Sequence, residues 1–207
     1  MALTLAQLTT VKNYILADPV LAGQPVDGDG LNFIADNLNA IAVPDFFVWD
    51  TQASVAKISN AIDGSKYTTQ SQVPSGDNIP VGSTLTLMER SLLYQNCVLA
   101  AQTKLFLLMD LTQGKTTLDM SLSTNRASLR DAVIQLPTGA VAVNGIGAFV
   151  SAAGSSGINA MNAGTRKARV IEKILITATE TTGTVTASVM GFEGTITPNE
   201  VDTARRS

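Results

Sequence analysis

The sequence predicts an α+β fold that is mainly α: a helical bundle around one long central helix, with a C-terminal antiparallel β-hairpin. Three observations point there. Thr84 to Gln113 contains no Pro or Gly and is apolar around most of its circumference. Apolar residues recur at helical spacing on both sides of it, as in Leu31, Ile34 and Leu38. Toward the C-terminus, Thr alternates with Val and Ile around the turn candidate TETTG.

In chain order, Thr4 and Gln7 have capping-box spacing, and Leu5, Leu8, Val11 and Ile15 share one face. A helix is expected from Thr4 to Ala17. Asp18-Pro19 ends it, because the residue before a proline is pushed out of the helical region. Gly23 to Gly30 is a loop. Asp29 is the expected cap of a second helix bearing Leu31, Ile34, Leu38 and Ile41, which Val43-Pro44 ends. DFFVWDT, from Asp45 to Thr51, is expected to be extended and carries the only tryptophan, Trp49. Thr51 is the expected cap of a short third helix with Val55, Ile58 and Ile62 inward. Asp63 to Gly82 is polar and long for a connection in a compact domain, so an exposed loop is expected at 63–82.

The central helix follows. It would be about 45 Å long at roughly 1.5 Å per residue. Thr86 and Glu89 provide a second capping-box spacing, and Gly114 is a natural stop. Glu89, Asn96, Thr103 and Asp110 form one narrow polar stripe, with Gln95 and Gln102 beside it. A helix this apolar needs cover on several sides, from other helices or from neighbouring subunits.

Beyond Gly114, KTTLDMSLS is ambiguous between states. Ser123 is expected to cap a helix to Leu136, with Leu129, Val133 and Leu136 on one side and Pro137 and Gly139 closing it. From Ala132 to Thr165 there is no charged residue at all, and GAVAVNGIGAFVSAAGSSG is rich in small residues. A close-packed loop pair suits this run better than a membrane-active peptide, which needs an amphipathic face and flanking cations. Ile158 to Ala163 is a short helix candidate. Lys167 to Thr179 and Thr184 to Phe192 are expected strands, to which Gly194–Thr197 adds. From Pro198 the chain is polar and ends in Arg205-Arg206, so 198–207 is expected to be a flexible tail.

Composition excludes several function classes. The chain of 207 residues is expected to form one domain. It is 45% hydrophobic and 15% charged, with net charge -3, which leaves no basic footprint for nucleic acid. It has no histidine, which removes the commonest general base, His-activated nucleophiles and the usual zinc ligands. Cys97 alone cannot form an intrachain disulfide and reads as a buried small side chain. No signal peptide and no membrane-spanning run are expected.

The motifs that suggest chemistry fail on inspection. Gly114-Lys-Thr resembles the end of a P-loop, but Met109 stands where the first glycine belongs. Asp27 and Asp29 resemble a calcium loop, but Leu38 or Ala40 occupies the position of the required Glu. Arg166, Lys167, Arg169 and Lys173 form a basic cluster; on a strand, Lys167, Arg169 and Lys173 would share a solvated face opposite Glu172. No catalytic, cofactor-binding or metal-binding residue is expected. Candidate protein-interaction residues are Val48, Trp49, Phe192, Arg205 and Arg206.

Five segments resemble, in order, a known family: TLAQLTTVKNYILADPVL, AVPDFFVWDTQ, QNCVLAAQTKLFLLMDLTQGKTTLD, NRASLRDAVIQLPTGA and TRKARVIEKILITATETTGTVTASVMGFEGTIT. The family is that of tailed-bacteriophage head–tail connector proteins, also called neck or adaptor proteins. The most specific pieces are VPDFFVW, NRASLRDAV followed by P-x-G, and RVIEKIL with GFEGTI. The resemblance covers most of the chain outside 63–82. It implies a structural virion protein and not an enzyme. Such a protein forms a ring in the neck, twelvefold to match a portal, bridging the portal and capsid to the tail. It implies a homo-oligomer bound to portal and other neck or tail proteins, with DNA passing through the channel without specific binding. No cofactor and no membrane are implied; assembly takes place in the host bacterial cytoplasm. The alternative is another phage structural component: a tail terminator, nozzle ring or minor capsid protein.

Overall fold

The computed structural model describes residues 3–62, 99, 102–133 and 155–207. Its elements, in chain order, are α1 (Leu5–Ala17), α2 (Pro19–Ala22), α3 (Gly28–Asn39), β1 (Phe47–Trp49), β2 (Ala53–Ser54) and α4 (Val55–Asn60). There follow α5 (102–112), β3 (Thr117–Leu118), α6 (Ser123–Val133), α7 (Ser155–Asn162), β4 (Thr165–Lys167), α8 (Val170–Ile174), β5 (Ile176–Thr182), β6 (Val185–Met190) and α9 (Pro198–Arg206). The fold is α+β. Where one domain is expected, contacts form two compact units: Met1–Trp49 with Arg166–Glu180 and Thr186–Ser207, and Asp50–Thr165 with Thr181–Val185.

The first unit begins as its sequence dictates. Thr4 Oγ1 accepts the Gln7 N–H at 3.3 Å, and Gln7 Oε1 accepts the Thr4 N–H at 2.9 Å, closing the capping box of α1. Asp18 ends α1 and at once opens α2, its carboxylate accepting the Val20 N–H at 2.8 Å with Pro19 at the first helical position. The cap of α3 is Asp27, whose Oδ1 accepts the Gly30 N–H at 2.9 Å. The expected cap, Asp29, lies inside the first turn, where its charge suits the positive end of the helix. α3 ends at Asn39, earlier than expected, so Ile41 is not a core helix residue. It is half exposed and bridges to Arg169.

Two expectations about the C-terminal region are corrected. The stretch from Lys167 to Thr179 is not one strand, because Val170–Ile174 turns helical as α8. Ile171 and Leu175, four apart, are both buried, which a helical turn allows. The Glu172 carboxylate accepts the Arg169 N–H at 2.9 Å at the head of that turn. Gly194–Thr197 adds no strand. Nor is 198–207 a flexible tail. Thr197 Oγ1 accepts the Glu200 N–H at 3.3 Å, Glu200 returns the bond to the Thr197 N–H at 2.8 Å, and Pro198 takes the first helical position. Val201 and Ala204 are fully buried as α9 packs on α1 and α3. Asn39 fastens the approach to α9, bonding both the N–H and the carbonyl of Ile196 at 2.8 and 2.9 Å.

The expected hairpin exists as β5–β6, turning at Gly183 with φ of 65°. It belongs to a four-stranded sheet in the order β4-β1-β6-β5. β1 and β6 are parallel, with Val48 in register with Ser188. The core of this unit joins Val11 and Ile15 of α1, Ile34 and Leu38 of α3, and Ile171, Ile196 and Val201.

In the second unit, β2 and β3 pair antiparallel, Ala53 opposite Leu118, which settles the ambiguous KTTLDMSLS segment as containing a strand. α4 is capped by Ser54, whose Oγ accepts the Lys57 N–H at 3.4 Å, and not by Thr51. Of its expected inward residues, Ile58 is fully buried. α7 packs against α4 and α6. Arg126 of α6 is buried and donates from Nη1 to the carbonyls of Met120 and Ser121 at 2.8 and 2.6 Å, bracing the turn before its own helix. Gly114 follows α5 with φ of 72°, the left-handed conformation that stops a helix. Of the expected central helix, 84–98, 100 and 101 lie outside the described residues. So do the loop at 63–82 and residues 134–154, with Leu136, Pro137 and Gly139.

Candidate interaction surface

Three of the five expected interaction residues are internal. Val48 and Trp49 are both fully buried. Neighbours along a strand point to opposite faces, so β1 is covered on both faces at these two residues, while Phe47 at its start is 46% exposed. Phe192 is buried in the core of the first unit. Only Arg205 and Arg206 remain near the surface.

These two arginines end α9, where positive charge suits the negative end of a helix. They border a pocket of about 410 Å³ lined by Lys12, Ile15, Leu16, Val26, Arg205 and Arg206. Its apolar side chains come from α1 and the turn before α3. Arg205 spans the gap, donating from Nη1 and Nη2 to the Gln24 carbonyl at 3.0 and 3.1 Å, and from Nη1 to that of Pro25 at 3.3 Å. Arg206 donates to Asp202 at 2.8 Å, and Lys12 to a backbone oxygen of Ser207. Sequence reasoning missed Lys12, Leu16 and Val26. The one available signal is the spacing of Lys12 and Leu16, four apart on one face of α1; their meeting with α9 leaves no local trace.

The basic cluster expected on a strand face is divided among separate partners. Arg166 grips Glu172 with two bonds of 2.8 Å and reaches Glu193 at 3.1 Å. Glu172 is fully buried and also accepts the Gly194 N–H at 3.1 Å. Burial alone would raise its carboxyl pKa. The bond from Arg166, then those from the Arg169 and Gly194 N–H groups, outweigh burial and hold it below the ordinary carboxylate range. The bond to Glu172 in turn raises the Arg166 guanidinium, against the opposing effect of burial. Lys167 pairs with Asp45 at 2.7 Å, and Lys173 sits 5.6 Å from the Phe46 ring centroid. This cluster ties α8 to its surroundings: Arg166, Lys167 and Arg169 meet carboxylates, and Lys173 meets an aromatic ring.

A second feature lies in the other unit. Leu105, Phe106 and Met109 of α5 are exposed, Phe106 by 68%, and Leu99 is exposed as well. At helical spacing these side chains form an apolar stripe. Among the described residues, no group of three or more His, Cys, Asp or Glu could hold a metal ion, and no helix is long and apolar enough to cross a membrane.

No family model, curated protein or solved structure matches this chain.

Proposed function

We propose that this chain is a structural protein of a tailed-phage neck, assembling as a ring between portal and tail. Its action is mechanical: subunits dock laterally on one another and axially on portal and tail partners, and DNA passes through without specific binding. The observation that carries the reading is the exposed Leu105, Phe106 and Met109 on α5. Apolar side chains gathered on one helix face gain free energy when a partner covers them. On this reading the bundle around α5 is completed by neighbouring subunits. The segment resemblance supplies the neck itself.

Two measurements test it. Purified protein, alone and with portal, goes onto a sizing column and into negative-stain images; rings or a portal complex are expected. Antibody labelling of intact particles then locates the protein, and label at the tail vertex is expected. A stable monomer that ignores portal, or label elsewhere on the particle, defeats the proposal. Label on the tail tip would favour a nozzle component.

A further inference from the structure

We infer that the pocket beside Lys12 receives the outer face of α3 from a second copy of this chain, an inference that rests on the assembly reading above. The two surfaces are opposite in charge, and each has apolar side chains at its centre. The pocket, of about 410 Å³, sets Ile15, Leu16 and Val26 against three cations, Lys12, Arg205 and Arg206. That size is within the range of clefts that seat a ligand, roughly 300–1,000 Å³. Among the described residues its lining holds no carboxylate.

α3 offers the counterpart. Phe33 is 41% exposed, with Asp29 one turn before it and Asp36 one turn after, both exposed. At helical spacing the three lie along one narrow strip, with neighbours roughly 5–6 Å apart. Seating this strip would place the aromatic ring on the apolar floor and the two carboxylates against the cationic edge. Aromatic side chains and arginine are enriched at interfaces, and this pairing would bring Phe33 to Arg205 and Arg206.

The state of the carboxylates supports the pairing. Asp18 and Asp27 are used as helix caps and Asp202 is held by Arg206. Asp29 and Asp36 make no ion pair or side-chain hydrogen bond among the described residues. On the pocket side, the Arg205 guanidinium bonds two neutral carbonyls, which leaves its charge uncancelled. The chain cannot fill its own pocket with this strip. Gly30, Ile34 and Leu38 on the opposite face of α3 are buried and fix the helix with Phe33 outward. The two patches are unlike, so docking one pair leaves the other two free. Contacts of that kind repeat from copy to copy and close into a ring when the rotation permits.

Sedimentation velocity of the full chain tests this. The wild type should self-associate at low salt and less so at high salt. Lys12→Glu/Arg206→Glu on the pocket and Asp29→Lys/Asp36→Lys on α3 should each weaken association by about tenfold or more. Mixing the two variants should restore it, because each reversed patch again meets its opposite. Phe33→Ala should weaken association about tenfold with its charge unchanged. Circular dichroism melts check folding. If the pocket double variant does not fold, Val26→Asp, at a residue 55% exposed, takes its place. A monomeric wild type, variants that associate like the wild type, or folded variants that fail to recover on mixing would each overturn the pairing. The variant results leave the neck reading standing, since a ring could close through α5 instead; a monomeric wild type weighs against both, and portal binding and particle labelling test the neck reading separately.

Discussion

Two arginine sites in the first unit show how the same side chain serves two purposes. Arg166 faces Glu172, which is fully buried, and is gripped by it at two points 2.8 Å long. Arg205 and Arg206 edge a pocket with apolar walls, bonded mostly to backbone oxygens and to one carboxylate. In the first site charge is consumed within the fold. In the second, Arg206 meets Asp202 at the surface while Arg205 bonds only neutral carbonyls. The difference teaches that the number of basic residues in a stretch says little about binding. What decides is whether the tertiary structure delivers a buried carboxylate to them.

Glu172→Ala strands Arg166 and frees the N–H groups of Arg169 and Gly194, so it should cost about 3–5 kcal/mol in urea unfolding, the usual result of removing one member of a buried pair. A loss under about 1 kcal/mol would place this pair in the same class as surface ion pairs.

The same pair predicts a pH dependence. The Glu172 pKa is lower in the folded chain than its ordinary value of 4.5. Its contribution is therefore complete above that value and fades as pH falls from there through the folded pKa. Wild-type stability should decline along this acid limb, and Glu172→Gln should show a shallower decline. Equal slopes would remove Glu172 from the account.

A smaller effect comes from the backbone beside this cluster. A Cβ on Gly191 would sit 2.7 Å from the Leu175 carbonyl oxygen and 2.9 Å from Thr177 Cγ2. Gly191→Ala should destabilise by about 1–3 kcal/mol through overpacking, read from the urea midpoint.

On the open side the effects on stability shrink. Thr197→Ala removes the cap of α9 and should cost about 1 kcal/mol. Its melting temperature should fall while the rest of the helical signal persists. Arg206→Ala, at the exposed end of α9, should change stability by no more than about 0.5 kcal/mol. Any loss of self-association in that variant then belongs to the surface and not to the fold.

Much of the local structure is legible in the residues. Thr4 and Gln7 announce α1, Asp18-Pro19 its end, Gly114 the stop after α5 and TETTG the hairpin turn. The α9 cap was just as legible, since Thr197-Pro-Asn-Glu200 carries both a capping box and a first-turn proline. The polar composition hides it, because only Val201 and Ala204 on that helix are buried. The surface reading is harder to make from sequence. Trp49 and Phe192 have the chemistry of interface anchors, and only the placement of β1 and the loop after β6 puts them inside.

By itself the sequence determined where helices start and stop, where the hairpin turns, and that histidine chemistry has no place here. Those properties depend on residues within about four positions of one another, through capping bonds and the backbone preferences of Gly and Pro. The tertiary structure alone decided the rest. It set β1 beside β6, brought Glu172 to Arg166, and carried the end of α9 to Lys12 and Val26. Each of these juxtapositions depends on how hydrophobic faces pack across long separations in the chain, and no local pattern encodes which distant face each will meet.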